Sequence, residues 1–159
     1  MPARTDSTLL NLKKILAPID FSPASKKALD YAIRLGELFN AEVTLLHVFE
    51  PLQAPDFPDI SRASSYGVKE FASAEKNLRA QIASTPMNGA CQLKWKVRAG
   101  VAAHEIVEAA KELDVDLIVI ATHGFTGWKH FCIGSTAERV ARVAPCPVFV
   151  VREKEHEFI

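Results

Sequence analysis

Glycine and hydroxyl residues are concentrated between residues 121 and 136, in the sequence Ala-Thr-His-Gly-Phe-Thr-Gly-Trp-Lys-His-Phe-Cys-Ile-Gly-Ser-Thr. Because glycine has no Cβ, backbone N–H groups beside it can approach an anion closely. Gly134 directly precedes Ser135, Thr136 and a segment of helical composition. The first turn of a helix adds unpaired N–H donors and the positive end of the helix dipole. This arrangement favours a phosphate-binding loop.

The same residues have a purely structural interpretation. Ser135 and Glu138 form a Ser-x-x-Glu pattern, which is typical of a capping box that starts a helix without any ligand. The two interpretations are compatible, since one hydroxyl can accept from a helix N–H and donate to a phosphate oxygen. The Gly-Lys-Ser/Thr ending of a P-loop and the Gly-x-Gly-x-x-Gly fingerprint are both absent from the sequence.

The composition is that of an ordinary globular domain. The chain has 159 residues, of which 48% are hydrophobic, and its 19 basic residues balance 19 acidic ones. A neutral chain gives no support for binding nucleic acid or a membrane surface, and no apolar run approaches the ~20 residues of a membrane helix. We therefore expect one domain that binds neither a nucleic acid nor a membrane.

The cysteines predict a reduced environment. Cys91, Cys132 and Cys146 are odd in number and form no Cys-x-x-Cys pair. A cytoplasmic location follows as the simplest expectation. Cys132 with His130 or His123 shows no paired metal-ligand spacing, so we predict no metal site in the protein itself.

The apolar run ahead of the glycine loop, residues 117–120, predicts a strand buried on both faces. Similar patterns predict four more strands and four helices in strict alternation. Ser22 and Pro23 give a helix start, and Asn40 a helix stop. The predicted strands are 13–20, 42–49, 92–98, 117–120 and 148–151, and the predicted helices are 22–40, 65–84, 102–113 and 137–143.

This alternation predicts an α/β fold: one open, doubly wound, five-stranded parallel sheet with helices on both faces, of the Rossmann-like type. The single domain covers 1–159, with a core of about 13–152, a loose arm at 1–11 and a charged tail at 153–159. Strand 92–98 alternates in polarity, which favours an edge position. Residues 51–66, with three prolines, are predicted to be a long irregular connection.

The second helix is predicted to turn Phe71, Leu78 and Ile82 inward. Ligands of doubly wound sheets bind beyond the carboxyl ends of the strands, where the winding direction reverses. Three such ends carry suitable residues, namely Pro18-Ile19-Asp20, His47-Val48-Phe49 and the loop from Ala121.

At these residues the chain resembles the universal stress protein family over about 13–152. The blocks that carry the resemblance, in order, are Ile15 to Ser22, Val43 to Val48, Thr122 to Gly124, Gly134-Ser135 and Ala144 to Val148. Members that bind ATP carry glycine, two residues, glycine, nine residues, glycine, then serine or threonine. Gly124, Gly134 and Ser135 match this pattern, Ala121 replaces its first glycine, and Gly127 is an additional glycine that many members share.

The resemblance implies an adenine nucleotide, ATP, ADP or AMP, alone or with Mg²⁺, and assigns residues to it. Those implied to line the adenine slot are Pro18, Ile19 and Val43, with Asp20 at adenine or ribose polar groups. Those implied beside the ribose are Ile120 and Ala121, and those implied to cradle phosphates are Gly124, Gly134, Ser135 and Thr136.

Several assignments have structural alternatives. Val43 is equally interpreted as a core residue, and Asp20 as part of the cap of the helix after Ser22. His123 could donate to a phosphate or could be a packed or solvated histidine.

Three functions remain open at this point. The first is a nucleotide-binding regulatory protein of stress adaptation, in which occupancy biases the 51–66 connection and the glycine loop, and an unidentified protein partner responds. The second is a slow ATPase or a protein that phosphorylates itself, and the third is a dimeric scaffold with an unused pocket, which Ala121 favours. Family members commonly dimerise through the last strand, so the resemblance implies a homodimer through 148–151.

Overall fold

The computed structural model describes residues 11–51, 60–87, 89, 91–122 and 134–153, with side chains from 66 onward in the second helix. Five strands alternate with four helices along these residues. They are β1 (Lys14–Pro18), α1 (Pro23–Phe39), β2 (Glu42–Phe49), α2 (Ile60–Ser84), β3 (Gln92–Ala99), α3 (Ala102–Leu113), β4 (Leu117–Ala121), α4 (Ser135–Val143) and β5 (Val148–Val151).

The strands form one parallel sheet in the order β3-β2-β1-β4-β5. This confirms the predicted doubly wound α/β fold, and it places β3 at an edge as its alternating sequence predicted. The chain winds outward from β1 to β3, crosses back through α3 to β4, and continues to β5 on the opposite edge. The winding direction therefore reverses between β1 and β4.

Helices cover both faces of the sheet, and alternate strand residues contribute to each face. Ile15 and Ala17 of β1, with Ile19 directly after the strand, pack with α1 and α2 in a cluster that includes Tyr31 and Leu78. The other face carries the alternate residues, including Leu16 and Ile118, packed against α3 and α4. The central strands are therefore apolar on both faces, and the site lies at their carboxyl ends.

The first helix begins and ends as its sequence predicted. The Ser22 side chain accepts a hydrogen bond from the Ser25 N–H, and Pro23 occupies the first helical position. Asn40 closes the helix in the left-handed conformation, with φ 53°, and its N–H donates to the Gly36 carbonyl.

Two predictions about the second helix were wrong. It begins at Ile60 rather than near 65, so the last seven residues assigned to the irregular connection, 60–66, are helical. Phe71 is not an inner residue but is 44% exposed, whereas Leu78 is fully buried and Ile82 is partly buried against the same cluster. No helix among the described residues is long and apolar enough to cross a lipid bilayer.

Candidate nucleotide site at the β1–β4 junction

The ends of β1 and β4 lie side by side at the point where the winding reverses. Ile15 pairs with Leu117 and Leu16 with Ile118, so in the same register Pro18 lies opposite Ile120. The chain leaves β1 toward α1 on one face, and it leaves β4 toward α4 on the other. A crevice between two such departing connections is the usual ligand position in open α/β sheets.

The turn after β1 contains three of the predicted site residues. Pro18 ends the strand, Ile19 is buried, and Asp20 is half-buried. Asp20 Oδ1 accepts from the Ser22 N–H at 3.0 Å, so the alternative capping interpretation of Asp20 is confirmed. A carboxylate has several acceptor positions, and this bond is compatible with a second role toward a ligand hydroxyl.

The base of the glycine loop is closed by backbone hydrogen bonds. The Thr122 N–H donates to the Val151 carbonyl at 2.9 Å, and the Gly134 N–H donates to the Thr122 carbonyl at 2.7 Å. The amino end of α4 is thereby fixed beside the end of β4. Ser135 is exposed and Thr136 is half-buried, so the first turn of α4 is open to solvent.

The predicted capping box at this helix is wrong. Gly134, with φ −60° and ψ 149°, is the N-cap residue, and it makes no side-chain cap. Ser135 is the first residue inside the helix, and Glu138 donates its N–H to the Gly134 carbonyl. Since the N-cap residue has no side chain to accept from them, the N–H donors in the first turn of α4 are left to other acceptors.

Ile120 and Ala121 are buried, and their side chains point to opposite faces of the sheet. Ile120 packs with the α3–α4 cluster, and Ala121 packs with the α1 cluster. Only the backbone of these two residues is therefore available to a ligand beyond the strand end. Three other predicted site residues, His123, Gly124 and Gly127, lie outside the described residues.

Val43 is not brought to this edge. It pairs with Ile15 near the amino ends of the strands and is fully buried. Its Cγ2 lies 2.7 Å from the position a Cβ would take on Gly36, deep under α1. The alternative interpretation of Val43 as a core residue is thus the one that its position supports, because the register separates it from Pro18 by three residue pairs.

The carboxyl end of β2 lies at the edge in its place. Leu46 pairs with Pro18, and its carbonyl accepts from the Ile19 N–H at 2.8 Å. His47 follows, and its Nδ1 lies 2.8 Å from the Ile19 carbonyl oxygen. The sequence pointed to His47 and Val48 as a strand end with suitable chemistry, but it gave no register that would rank them above Val43.

Metal ligands are not gathered at this edge in the part of the chain that the structure describes. No group of three or more His, Cys, Asp or Glu side chains lies close enough together there to hold an ion. Cys91 is buried, and burial raises the pKa of its thiol, as expected for a structural rather than a reactive cysteine. The described site therefore offers backbone donors, one carboxylate and apolar walls.

Comparison with known proteins agrees with this architecture. The model of the universal stress protein family matches residues 11–152. Universal stress protein MJ0531 of Methanocaldococcus jannaschii is 33% identical over 147 residues, covering 91% of this chain and 85% of that protein. The solved structure of MJ0577, from the same archaeon, is 28% identical with a TM-score of 0.71 and covers 92% of this chain and 100% of its own.

A further solved structure, a universal stress protein in complex with cAMP, has a TM-score of 0.59. It is 22% identical and covers 91% of this chain and 99% of its own, so it supports the fold alone. The family match extends over nearly all of the described residues and includes both strand ends of the site. This chain belongs to the universal stress protein family.

Proposed function

We propose that the protein binds an adenine nucleotide at the β1–β4 junction and acts as a regulatory protein in stress adaptation. The observation that carries the proposal is the hydrogen bond from the Gly134 N–H to the Thr122 carbonyl, because it sets the amino end of α4, whose N-cap is a glycine, at the carboxyl edge of the sheet. Such an end supplies N–H donors and a positive dipole to an anion.

The phosphates are proposed to lie over this helix end. Backbone N–H groups of the first turn and the hydroxyls of Ser135 and Thr136 are the donors there, and Gly124 is the proposed donor on the other side. The exposure of Ser135 leaves its hydroxyl accessible. Gly127 and His123 complete the proposed cradle as members of the same loop.

The adenine is proposed to lie at the ends of β1 and β2, against Pro18 and Ile19. The backbone of Leu46 faces β1, since its carbonyl accepts from Ile19. Alternate residues of a strand direct their backbone groups to the same neighbour, so the N–H and C=O of Val48 face the side where β1 has already ended. Val48 therefore replaces Val43 in our assignment, and Asp20 remains the proposed acceptor for ribose hydroxyls.

The fold itself is compatible with this ligand class. A universal stress protein of similar fold has been solved in complex with cAMP, an adenine nucleotide. We extend that to ATP, ADP or AMP here on the geometry of the helix end rather than on the likeness. Occupancy would bias the conformation of the glycine loop, and a protein partner would respond to that change.

We also propose that the protein is a homodimer through β5. Among the residues that the structure describes, the outer edge of β5 has no strand partner, and three of its four residues are only partly buried. An apolar edge of this kind favours pairing with a second strand.

The decisive experiment measures binding directly. Protein purified without added nucleotide is denatured, and the supernatant is analysed by absorbance and mass spectrometry. Melting is then followed with AMP, ADP and ATP, each with and without Mg²⁺. A ligand at a hundred times its Kd adds about 2.7 kcal/mol to the folded state. Absence of both a resident nucleotide and any shift at millimolar concentration would contradict the proposal.

A further inference from the structure

The turn between β1 and α1 contains a residue in an unfavourable conformation. Phe21 has φ 66°, in the left-handed region that residues other than glycine, asparagine and aspartate rarely adopt. It lies between Asp20 and the N-cap residue Ser22, at the wall of the proposed adenine site. Backbone of this kind persists only where surrounding contacts hold it, and such positions cluster at binding sites.

His47 supplies two of those contacts from the neighbouring strand. Its Nδ1 lies 2.8 Å from the Ile19 carbonyl oxygen, and its ring lies 4.9 Å from the Phe21 ring with an interplanar angle of 38°. Because a carbonyl only accepts, the proton must be on Nδ1. One side chain therefore contacts the residues on both sides of Asp20.

Other contacts of the turn come from the turn itself, from the β2 backbone and from α1, where Ser25 Oγ accepts from the Asp20 N–H at 3.4 Å. Phe21 also packs against the α1 cluster. The Ile19 N–H donates to Leu46, the Ser22 N–H to Asp20, and the Ser25 N–H to Ser22. These bonds define the strand end and the helix start. They do not contact the Phe21 ring, and His47 is the side chain of β2 that joins both ends of the segment.

We propose that His47 is a positioning residue, which holds the strained Ile19–Phe21 turn in the form that receives the adenine and ribose of the ligand. This inference rests on the proposed nucleotide site. A turn already in its bound conformation needs no ordering when the ligand arrives, so the affinity is higher than with a relaxed turn. The Nδ1–H bond and the ring contact together provide that preorganisation.

The test compares His47→Leu with His47→Asn. Leucine removes the donor, whereas the Asn amide nitrogen can occupy the position of Nδ1 and donate to Ile19. We expect His47→Leu to raise the Kd for AMP about tenfold and His47→Asn to restore most of that loss. Ile106→Val, a core change in the α3–α4 cluster on the face of the sheet opposite Ile19 and Phe21, serves as the control for stability alone. It should lower Tm while leaving the Kd unchanged.

Two measurements need no ligand and therefore separate failure of this inference from failure of the proposed function. Amide exchange at Phe21 and Ser22 should be at least about tenfold faster in His47→Leu than in the parent, and equal rates would overturn the proposal. Nitrogen-15 shifts of the parent imidazole should show a proton on Nδ1. A bare Nδ1 would overturn the proposal even if His47→Leu did not fold. A Kd in His47→Leu equal to that of a nucleotide-binding parent would do the same.

Discussion

The Gly134 N–H donates to the Thr122 carbonyl at 2.7 Å, and this bond joins the described residues on either side of the glycine loop. Thr122 is itself anchored, because its N–H donates to Val151 of the neighbouring strand. The amino end of α4 is consequently attached to the sheet independently of the loop between the two residues. A ligand that binds there meets a helix end whose position is fixed by β4 and β5.

This geometry gives a prediction for Gly134→Ser. Gly134 has φ −60°, which any residue can adopt, and serine is a better N-cap than glycine by a few tenths of a kcal/mol. The free energy of unfolding should therefore stay within about 0.5 kcal/mol of the parent. A Cβ at the helix end would obstruct the phosphates, and we expect at least tenfold weaker nucleotide binding, about 1.4 kcal/mol, by titration calorimetry. Parental affinity would show that the phosphates lie elsewhere.

Ala121→Gly should have the opposite profile. The alanine methyl is buried in the cluster under α1 and does not extend beyond the strand end. Its removal costs one buried carbon and adds backbone freedom, together about 1 to 2 kcal/mol of stability. Nucleotide affinity should stay equal or become modestly tighter. A large gain in affinity would mean that the methyl, and not only the backbone, contacts the ligand.

Two helix glycines provide a matched pair for stability. Both Gly36 and Gly67 lie inside helices, but a Cβ on Gly36 would lie 2.6 Å from Cys91 Sγ, whereas a Cβ on Gly67 has no heavy atom within 4 Å. Gly67→Ala should stabilise by about 0.5 to 1 kcal/mol through lower backbone entropy. Gly36→Ala should destabilise by about 1 to 3 kcal/mol through overpacking. Urea denaturation of both variants checks the difference, and equal effects would contradict the packing described for Cys91.

The order of elements was predictable because each depends on local chemistry. Ser22 and Pro23 start α1 through a side-chain cap and a fixed φ, and Asn40 ends it in a left-handed conformation. These signals are complete within a few residues. The apolar strand residues 117–120 were likewise sufficient to predict a strand covered on both faces.

The site was less predictable, because it depends on register. Val43 and Val48 have the same side chain in the same strand, and only the pairing of Leu46 with Pro18 shows which of them is at the edge. The predicted capping box was wrong because spacing alone does not determine where a helix begins. Ser135 has the right spacing to Glu138, but α4 begins one residue earlier than a capping box at Ser135 implies. His47 is a third case, since its bond to Ile19 joins residues 28 positions apart.

A cluster of charges between β3 and α3 predicts a dependence of stability on pH. Glu112 contacts both Lys96 and Arg98, and the hydrogen bond from Lys96, aided by Arg98, holds the pKa of this carboxyl below its ordinary value of 4.5. A lowered folded-state pKa contributes stability that is present above 4.5 and lost as pH falls through the folded pKa. Glu112→Gln should lower Tm at pH 7. The difference in Tm from the parent should shrink as the pH falls below 4.5 through the folded-state pKa. A difference independent of pH would contradict this origin.

The proposed dimer makes the last prediction. Val150 is partly buried on the α4 side of β5, at the sheet edge that would pair with a second copy. A lysine at this position would place a charge beside the partner strand, and charged edge residues are a recognised barrier to strand pairing. Val150→Lys should therefore reduce the mass measured by light scattering from that of a dimer to that of a monomer at micromolar concentration. Val68→Lys, at an exposed position on α2, introduces the same charge away from β5 and should leave the mass unaltered. Circular dichroism must show that Val150→Lys remains folded; a folded variant with the mass of the parent, or a parent that is already monomeric, would contradict dimerisation through β5.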